Sequence, residues 1–139
     1  MANRTATAVW QGDLKTGKGT MHFADYDGRF SFSSRFEEGA GTNPEELLGA
    51  AHAGCYSMAF GNELSKAGYN PENIATTAHI ALRQVEGHAK IVSSHLVVKA
   101  KVPGISEDEF QKIALAAKEG CPVSQALAGL EISLDAELA

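Results

Sequence analysis

The stretch TNPEELLGAAHAGCYSMAFGNELSKAG, residues 42–68, decides the fold. Asn43 is a side-chain cap, Pro44 suits a first helical turn, and Thr42 with Glu45 has capping-box spacing, so a helix begins here. It is predicted to run from about Pro44 to Lys66 and to stop at Gly68, a residue that accepts the left-handed C-terminal conformation. Its middle is apolar around the axis: Leu47, Leu48, Ala50, Ala51, Ala53, Met58, Ala59 and Phe60 leave no polar face, and such a helix must be covered on all sides. A small domain has little material for that. Burial against the same helix of a second copy supplies it, which predicts an intimate homodimer.

On the N-terminal side, residues 5–10, 19–23 and 29–36 read as strands. The last is assigned from the alternation of Phe30, Phe32, Ser34 and Phe36 with polar residues, and DYDG at 25–28 is the turn before it. On the C-terminal side, residues 74–85 and 90–102 read as strands flanking the turn EGH. Ser106 and Glu109 have capping-box spacing for a helix that carries Phe110, Ile113, Ala114 and Ala117 on one face and ends at Gly120. Cys121 and Pro122 open a short further helix, and residues 130–138 alternate as a terminal strand. The order βββ, α, ββ, α, α, β predicts an α+β class.

A chain of 139 residues fits one domain, residues 1–139. At 44% hydrophobic and 21% charged it is neither disordered nor membrane-like in composition. The longest apolar stretch, residues 47–60, is interrupted by His52 and Ser57 and is shorter than the roughly 20 residues that span a bilayer, so no membrane partner is expected. MANRTATAVW has no apolar signal-peptide region, which predicts a cytoplasmic location. The net charge of −5 and the absence of a basic run argue against nucleic acid as a partner. Cytosolic thiols are kept reduced, so the two cysteines point to catalytic or redox-cycling use rather than a permanent disulfide.

Cys55 and Cys121 are not equivalent. Cys121, at an apparent helix start, occupies a position that favours thiolate, whereas Cys55 lies mid-helix, where dipole terms are small and a cation must supply acidity. Arg35, just before the loop into the Cys55 helix, is the local candidate, against the alternative of a strand-end arginine in solvent. Glu45 and Glu46 could orient that guanidinium, or simply complement the helix dipole. Ten helical residues put Glu45 roughly 15 Å along the axis from Cys55, so a shared site needs a broken helix or a carboxylate from a second subunit. His52, three residues before Cys55, admits a base or metal-ligand reading; no CxxC or HxxxH pair occurs, and metal binding is not expected. His22, His79, His88 and His95 have no evident partner. Phosphate-loop, dinucleotide and serine-elbow motifs are absent.

The combination FSSRFEEGAGTNPEELLGAAHAGCYSMAF and EGCPVSQAL, with the opening AVWQGDLKTGKGT, the VPGIS link and the terminal EISLDAEL, resembles the osmotically inducible protein C branch of the OsmC and organic hydroperoxide resistance family over nearly the whole chain. The resemblance implies an OsmC-like fold with antiparallel sheets and a long central helix in an intertwined homodimer. It also implies a peroxiredoxin-like thiol peroxidase acting on organic hydroperoxides and more weakly on hydrogen peroxide, without metal, haem or other cofactor. By motif match the peroxidatic thiol is Cys55 and the resolving thiol Cys121, with Arg35 and Glu45 activating the first. This reverses the order that helix position alone gives the two thiols. A dithiol is the implied reductant; it is lipoyl-type in the hydroperoxide-resistance branch, whose arginine comes from a different N-terminal loop. The competing reading is a dimer that binds a hydrophobic small ligand without peroxidase turnover.

Overall fold

The computed structural model describes residues 3–139, so the first two residues of the expected domain lie outside it. The chain divides into two compact units at Leu47/Leu48. In the first, β1 (Thr7–Gln11), β2 (Lys18–Phe23) and β3 (Tyr26–Phe30) form an antiparallel meander in the order β1-β2-β3. The β1–β2 turn is organised by Asp13, whose carboxylate accepts from the Lys15 and Thr16 amides and the Thr16 hydroxyl at 2.9, 2.8 and 2.7 Å. In the register, Gly19 lies between Trp10 and Phe30, whose rings close over it with centroids 5.3 Å apart. A Cβ at Gly19 would come within 2.5 Å of the Phe30 ring, so glycine is what lets the aromatics meet.

The chain departs from the expected β2–β3 turn and from the expected third strand. The β2–β3 turn falls at Ala24 and Asp25, with Phe23 paired to Tyr26, rather than at residues 25–28. The strand expected to reach Phe36 ends at Phe30, and a short helix α1 spans Phe32–Phe36. Its cap is reciprocal: Ser31 Oγ accepts from the Ser34 amide at 3.1 Å and the Ser31 amide donates to Ser34 Oγ at 2.8 Å. Alternation over Phe32, Ser34 and Phe36 also contains an i, i+4 pair, and the Phe32 and Phe36 rings meet at 5.0 Å along one helical turn.

Helix α2 runs Pro44–Lys66 as expected, and Gly68 follows with φ +92°. Most of it belongs to the second unit, with β4 (Asn73–Val85), β5 (His88–Lys101), α3 (Glu107–Gly120), α4 (Pro122–Ala126) and β6 (Glu131–Leu138). β4 and β5 form a hairpin through Glu86 and Gly87, both at positive φ. β6 lies parallel to β5, a geometry that needs a crossover, and α3 with α4 supplies it. The sheet β4-β5-β6 is therefore mixed rather than purely antiparallel.

The core of this unit joins Tyr56, Phe60 and Leu64 of α2 to Leu96, Val98 and Ala100 of β5 and to Phe110, Ala114 and Ala117 of α3. Phe60 and Phe110 meet edge to face at 5.4 Å, and each buried ring contributes roughly 1.5–3 kcal/mol. Tyr56 satisfies its buried hydroxyl by donating to the Ala114 carbonyl at 3.0 Å. This buries one stripe of α2. Ala50, Ala51, Gly54 and Met58 remain exposed, Met58 at 79%. Among the described residues no helix is long and apolar enough to cross a membrane.

Candidate active site

Within the second unit, the crossover places Cys121 between α3 and α4, beside Cys55 at the middle of α2. The two sulfurs are 2.9 Å apart and both cysteines are free. Cys121 is buried and Cys55 half-buried. Burial pushes the Cys55 thiol up, and its hydrogen bond to Cys121 adds to that. Burial also opposes ionisation of Cys121, but the Cys55 thiol, the Ser124 amide and hydroxyl, and the Val123 amide all face its sulfur and together bring it below the usual thiol value. In the single chain these contacts thus push the two thiols in opposite directions, Cys55 up and Cys121 down.

Cys55 opens on a groove of about 830 Å³ lined by Met58, Ala59, Asn62, Lys66, Ala116 and Gly120 among others. One helical turn before Cys55, His52 is fully buried, with Nδ1 2.7 Å from Ser94 Oγ and Nε2 2.8 Å from Ser124 Oγ. Desolvation lowers its pKa, so the ring is neutral. Sequence reasoning singled out His52 but missed Ser94 and Ser124. The available signal was Ser94 itself, a hydroxyl on the inward face of a strand otherwise carrying Leu96, Val98 and Ala100. His22 and His95, read as unpartnered, contact Asp27 at 2.6 Å and Ser133 at 2.6 Å respectively.

The first unit holds the other candidate pair. Arg35 lies in the last turn of α1 and Glu45 in the first turn of α2, where one carboxylate receives Arg35 Nη2 at 2.8 Å and Nε at 3.1 and 3.3 Å. The loop between them is tied down at several points. Thr42 N–H donates to the Arg29 carbonyl at 2.8 Å, Ser34 Oγ to the Thr42 carbonyl at 2.8 Å, and Asn43 Nδ2 to the Ser34 carbonyl at 3.0 Å. Asn43 is also the α2 cap, accepting from the Glu46 amide at 2.8 Å while its Nδ2 donates to the Glu46 carboxylate at 2.9 Å. The expected Thr42–Glu45 box is therefore replaced by Asn43 and Glu46, which removes Glu46 from Arg35 and frees Glu45 to hold it. The guanidinium also lies 5.4 Å from the Phe36 ring centroid. Trp10, Leu14, Phe30, Phe32 and Phe36 form with Arg35 an apolar cavity of about 250 Å³, its four aromatic residues having been read from the sequence only as parts of strands. Each predicted pair is assembled, Cys55 with Cys121 in one unit and Arg35 with Glu45 in the other.

The OsmC-like protein family model matches residues 37–135, a span that includes Glu45 and both cysteines. The chain belongs to the OsmC-like protein family. It is 44% identical over 139 residues to Peroxiredoxin OsmC of Escherichia coli (strain K12), covering 98% of this chain and 96% of that protein. A more distant relative, the Organic hydroperoxide resistance protein of Xanthomonas axonopodis pv. citri (strain 306), is 29% identical over 96 residues, 66% of this chain and 63% of that one. Among solved structures, the organic hydroperoxide resistance protein OhrB of Bacillus subtilis aligns with a TM-score of 0.73 at 25% identity over 97% of this chain and 98% of that one. An OsmC-like protein from Mycoplasma pneumoniae, at 15% identity, shares the fold with a TM-score of 0.78 over 99% and 98% of the two chains.

Proposed function

We propose that this OsmC-like chain, one domain in a cytoplasmic homodimer, is a cysteine-based peroxidase that reduces organic hydroperoxides, and hydrogen peroxide more weakly, in the response to oxidative and osmotic stress. The observation that carries the reading is the 2.9 Å separation of the Cys55 and Cys121 sulfurs, which lets a thiol oxidised at one be captured by the other with little movement. Cys55 thiolate attacks the terminal peroxide oxygen, the O–O bond breaks, and the leaving alkoxide takes a proton to become an alcohol. Cys55 is left as a sulfenic acid. Cys121 then displaces hydroxide to form the disulfide, and an external dithiol returns two electrons.

Burial and the hydrogen bond to Cys121 both disfavour the Cys55 thiolate, so the first step needs a cation. Arg35 supplies it in this proposal, aimed by Glu45 and also placed to stabilise the departing alkoxide. Because α2 is unbroken from Pro44 to Lys66, Glu45 and Cys55 stand roughly 15 Å apart along it, so the guanidinium is assigned to the partner subunit's Arg35. The exposed Met58 face of α2 and the open groove beside Cys55 are the surfaces such a partner would cover. The aromatic cavity beside Arg35 suits an alkyl group, which favours organic peroxides over hydrogen peroxide.

Stopped-flow reduction of tert-butyl hydroperoxide with a dithiol tests the assignment. Cys55→Ser should abolish turnover, whereas Cys121→Ser should still consume one equivalent and accumulate a sulfenic acid on Cys55 visible by mass spectrometry. Normal turnover by Cys55→Ser would remove Cys55 from the mechanism.

A further inference from the structure

Asn43 is buried, at 8% exposure, and the peroxidase chemistry above gives it no part. It caps α2 by accepting from the Glu46 amide at 2.8 Å. Serine, threonine or aspartate would cap as well, since the cap needs only an oxygen. What asparagine adds is a pair of N–H donors, and both are used: Nδ2 donates to the Ser34 carbonyl at 3.0 Å and to the Glu46 carboxylate at 2.9 Å. A buried amide is tolerable when its groups are paired in this way. Turned over, it would set its oxygen against a carbonyl and a carboxylate, so its orientation is fixed.

Both donor bonds bear on the Arg35–Glu45 pair. The Ser34 carbonyl belongs to the peptide unit that leads into Arg35, and it lies in the last turn of a five-residue helix, where carbonyls have no partner within the helix. Asn43 stands two residues before Glu45. Their bond therefore joins the backbones that carry the guanidinium and the carboxylate, which the chain itself connects only through the loop 37–42. Ser34, 5% exposed, ties the same loop from the other side, its Oγ donating to the Thr42 carbonyl at 2.8 Å. The bond to Glu46 has a second effect. It engages the one neighbouring carboxylate in the first turn of α2 that would compete with Glu45 for the arginine.

We propose that Asn43 is a positioning residue for the peroxidase reaction: through the Ser34 carbonyl and the Glu46 carboxylate it sets Arg35 and Glu45 in the register that aims the guanidinium. The inference deepens the peroxidase reading and rests on it for the role of Arg35. One side chain thus does two separable things, its Oδ1 starting α2 and its Nδ2 orienting the arginine.

The test uses the full-length protein and separates the two. Asn43→Ser keeps a cap oxygen on a shorter side chain with one proton instead of two, and Asn43→Asp keeps the outline and the cap but has no donor. Thermal midpoints should stay near wild type. The value of kcat/KM for tert-butyl hydroperoxide at saturating dithiol should fall about three- to tenfold in both, the loss of a neutral hydrogen bond left unreplaced. In a Cys121→Ser background, where Cys55 is the only thiol, Asn43→Ser should raise the pH midpoint of alkylation by iodoacetamide, a readout that helix stability alone does not move. In an Arg35→Ala background neither variant should slow the reaction further, because a residue that acts through the arginine has nothing left to orient. Wild-type rates in Asn43→Ser and Asn43→Asp, or an equal further loss in the Arg35→Ala background, would overturn the inference. Failure of both variants to fold would assign the Nδ2 bonds to the fold and overturn it too. An Arg35→Ala variant that turns over like wild type would instead overturn the assignment of the arginine in the peroxidase reading, and the positioning role with it.

Discussion

Replacing Glu45 by Gln keeps the side chain's shape and removes its charge. One carboxylate serves a single guanidinium through contacts of 2.8 Å to Nη2 and 3.1 and 3.3 Å to Nε. Glutamine retains a carbonyl oxygen for one N–H but sets an amide group, itself a donor, where the second oxygen stood. About one charge-assisted hydrogen bond is lost, worth about 1.5–3 kcal/mol when fully desolvated. Arg35 is 36% exposed, so solvent screening reduces this to about 1–2 kcal/mol. If the pair acts in the transition state, kcat/KM for tert-butyl hydroperoxide falls about five- to thirtyfold. The assay is the initial rate of peroxide loss at saturating dithiol for wild type, Glu45→Gln, Arg35→Lys and the double variant. Residues acting as one unit give a double variant hardly slower than the worse single one. A Glu45→Gln rate within about twofold of wild type would refute the positioning role, and additive losses would show that the two residues act independently.

Two further outcomes concern stability and assembly. The pKa of His52 is depressed below 6.5 by burial, so below that pH the unfolded chain binds a proton the folded chain does not, and stability falls as pH drops from about 6.5 toward the folded-state value. Urea midpoints measured from pH 7 to 5 should therefore fall more steeply for wild type than for His52→Gln, and parallel curves would contradict this. Met58, 79% exposed on the apolar face of α2, is expected at the subunit interface. Wild type should scatter light as a dimer at micromolar concentration and Met58→Glu should shift toward monomer; a stable wild-type monomer would sink the homodimer.

What the sequence made legible was local. Asn43, Pro44 and Gly68 delimit α2 through caps and backbone preferences that act within a few residues, and the structure places the helix at the same bounds. Ser106 likewise opens α3, accepting from the Glu109 amide at 3.2 Å. Residues 32–36 were misread because their aromatic spacing satisfies both a strand and one helical turn, and the Ser31–Ser34 cap settles the choice. The parallel course of β6 was not legible, since strand direction depends on how a crossover packs rather than on the alternation within the strand. In the site, the cysteines, Arg35 and Glu45 could be named from motifs, and which of Glu45 or Glu46 holds the arginine depended on a one-residue shift of the cap. Ser94 and Ser124 were invisible because their meaning lies in contacts with His52 across 42 and 72 residues.

The crossover that carries Cys121 has a bearing on how the protein is made. Its sulfur meets Cys55 across 66 residues, and the helices that present it are followed by β6, the last strand of the chain, which locks onto β5. Local elements such as α2 and the β4–β5 hairpin can form early, while the sulfur contact must wait for the slow closure of a long loop. Until then a chain emerging under oxidative conditions carries Cys55 with no second thiol at hand, and a sulfenic acid formed there is open to further, irreversible oxidation. In the peroxidase proposal, docking of this crossover is thus the folding step at which a sulfenic acid on Cys55 gains the thiol that captures it before further oxidation.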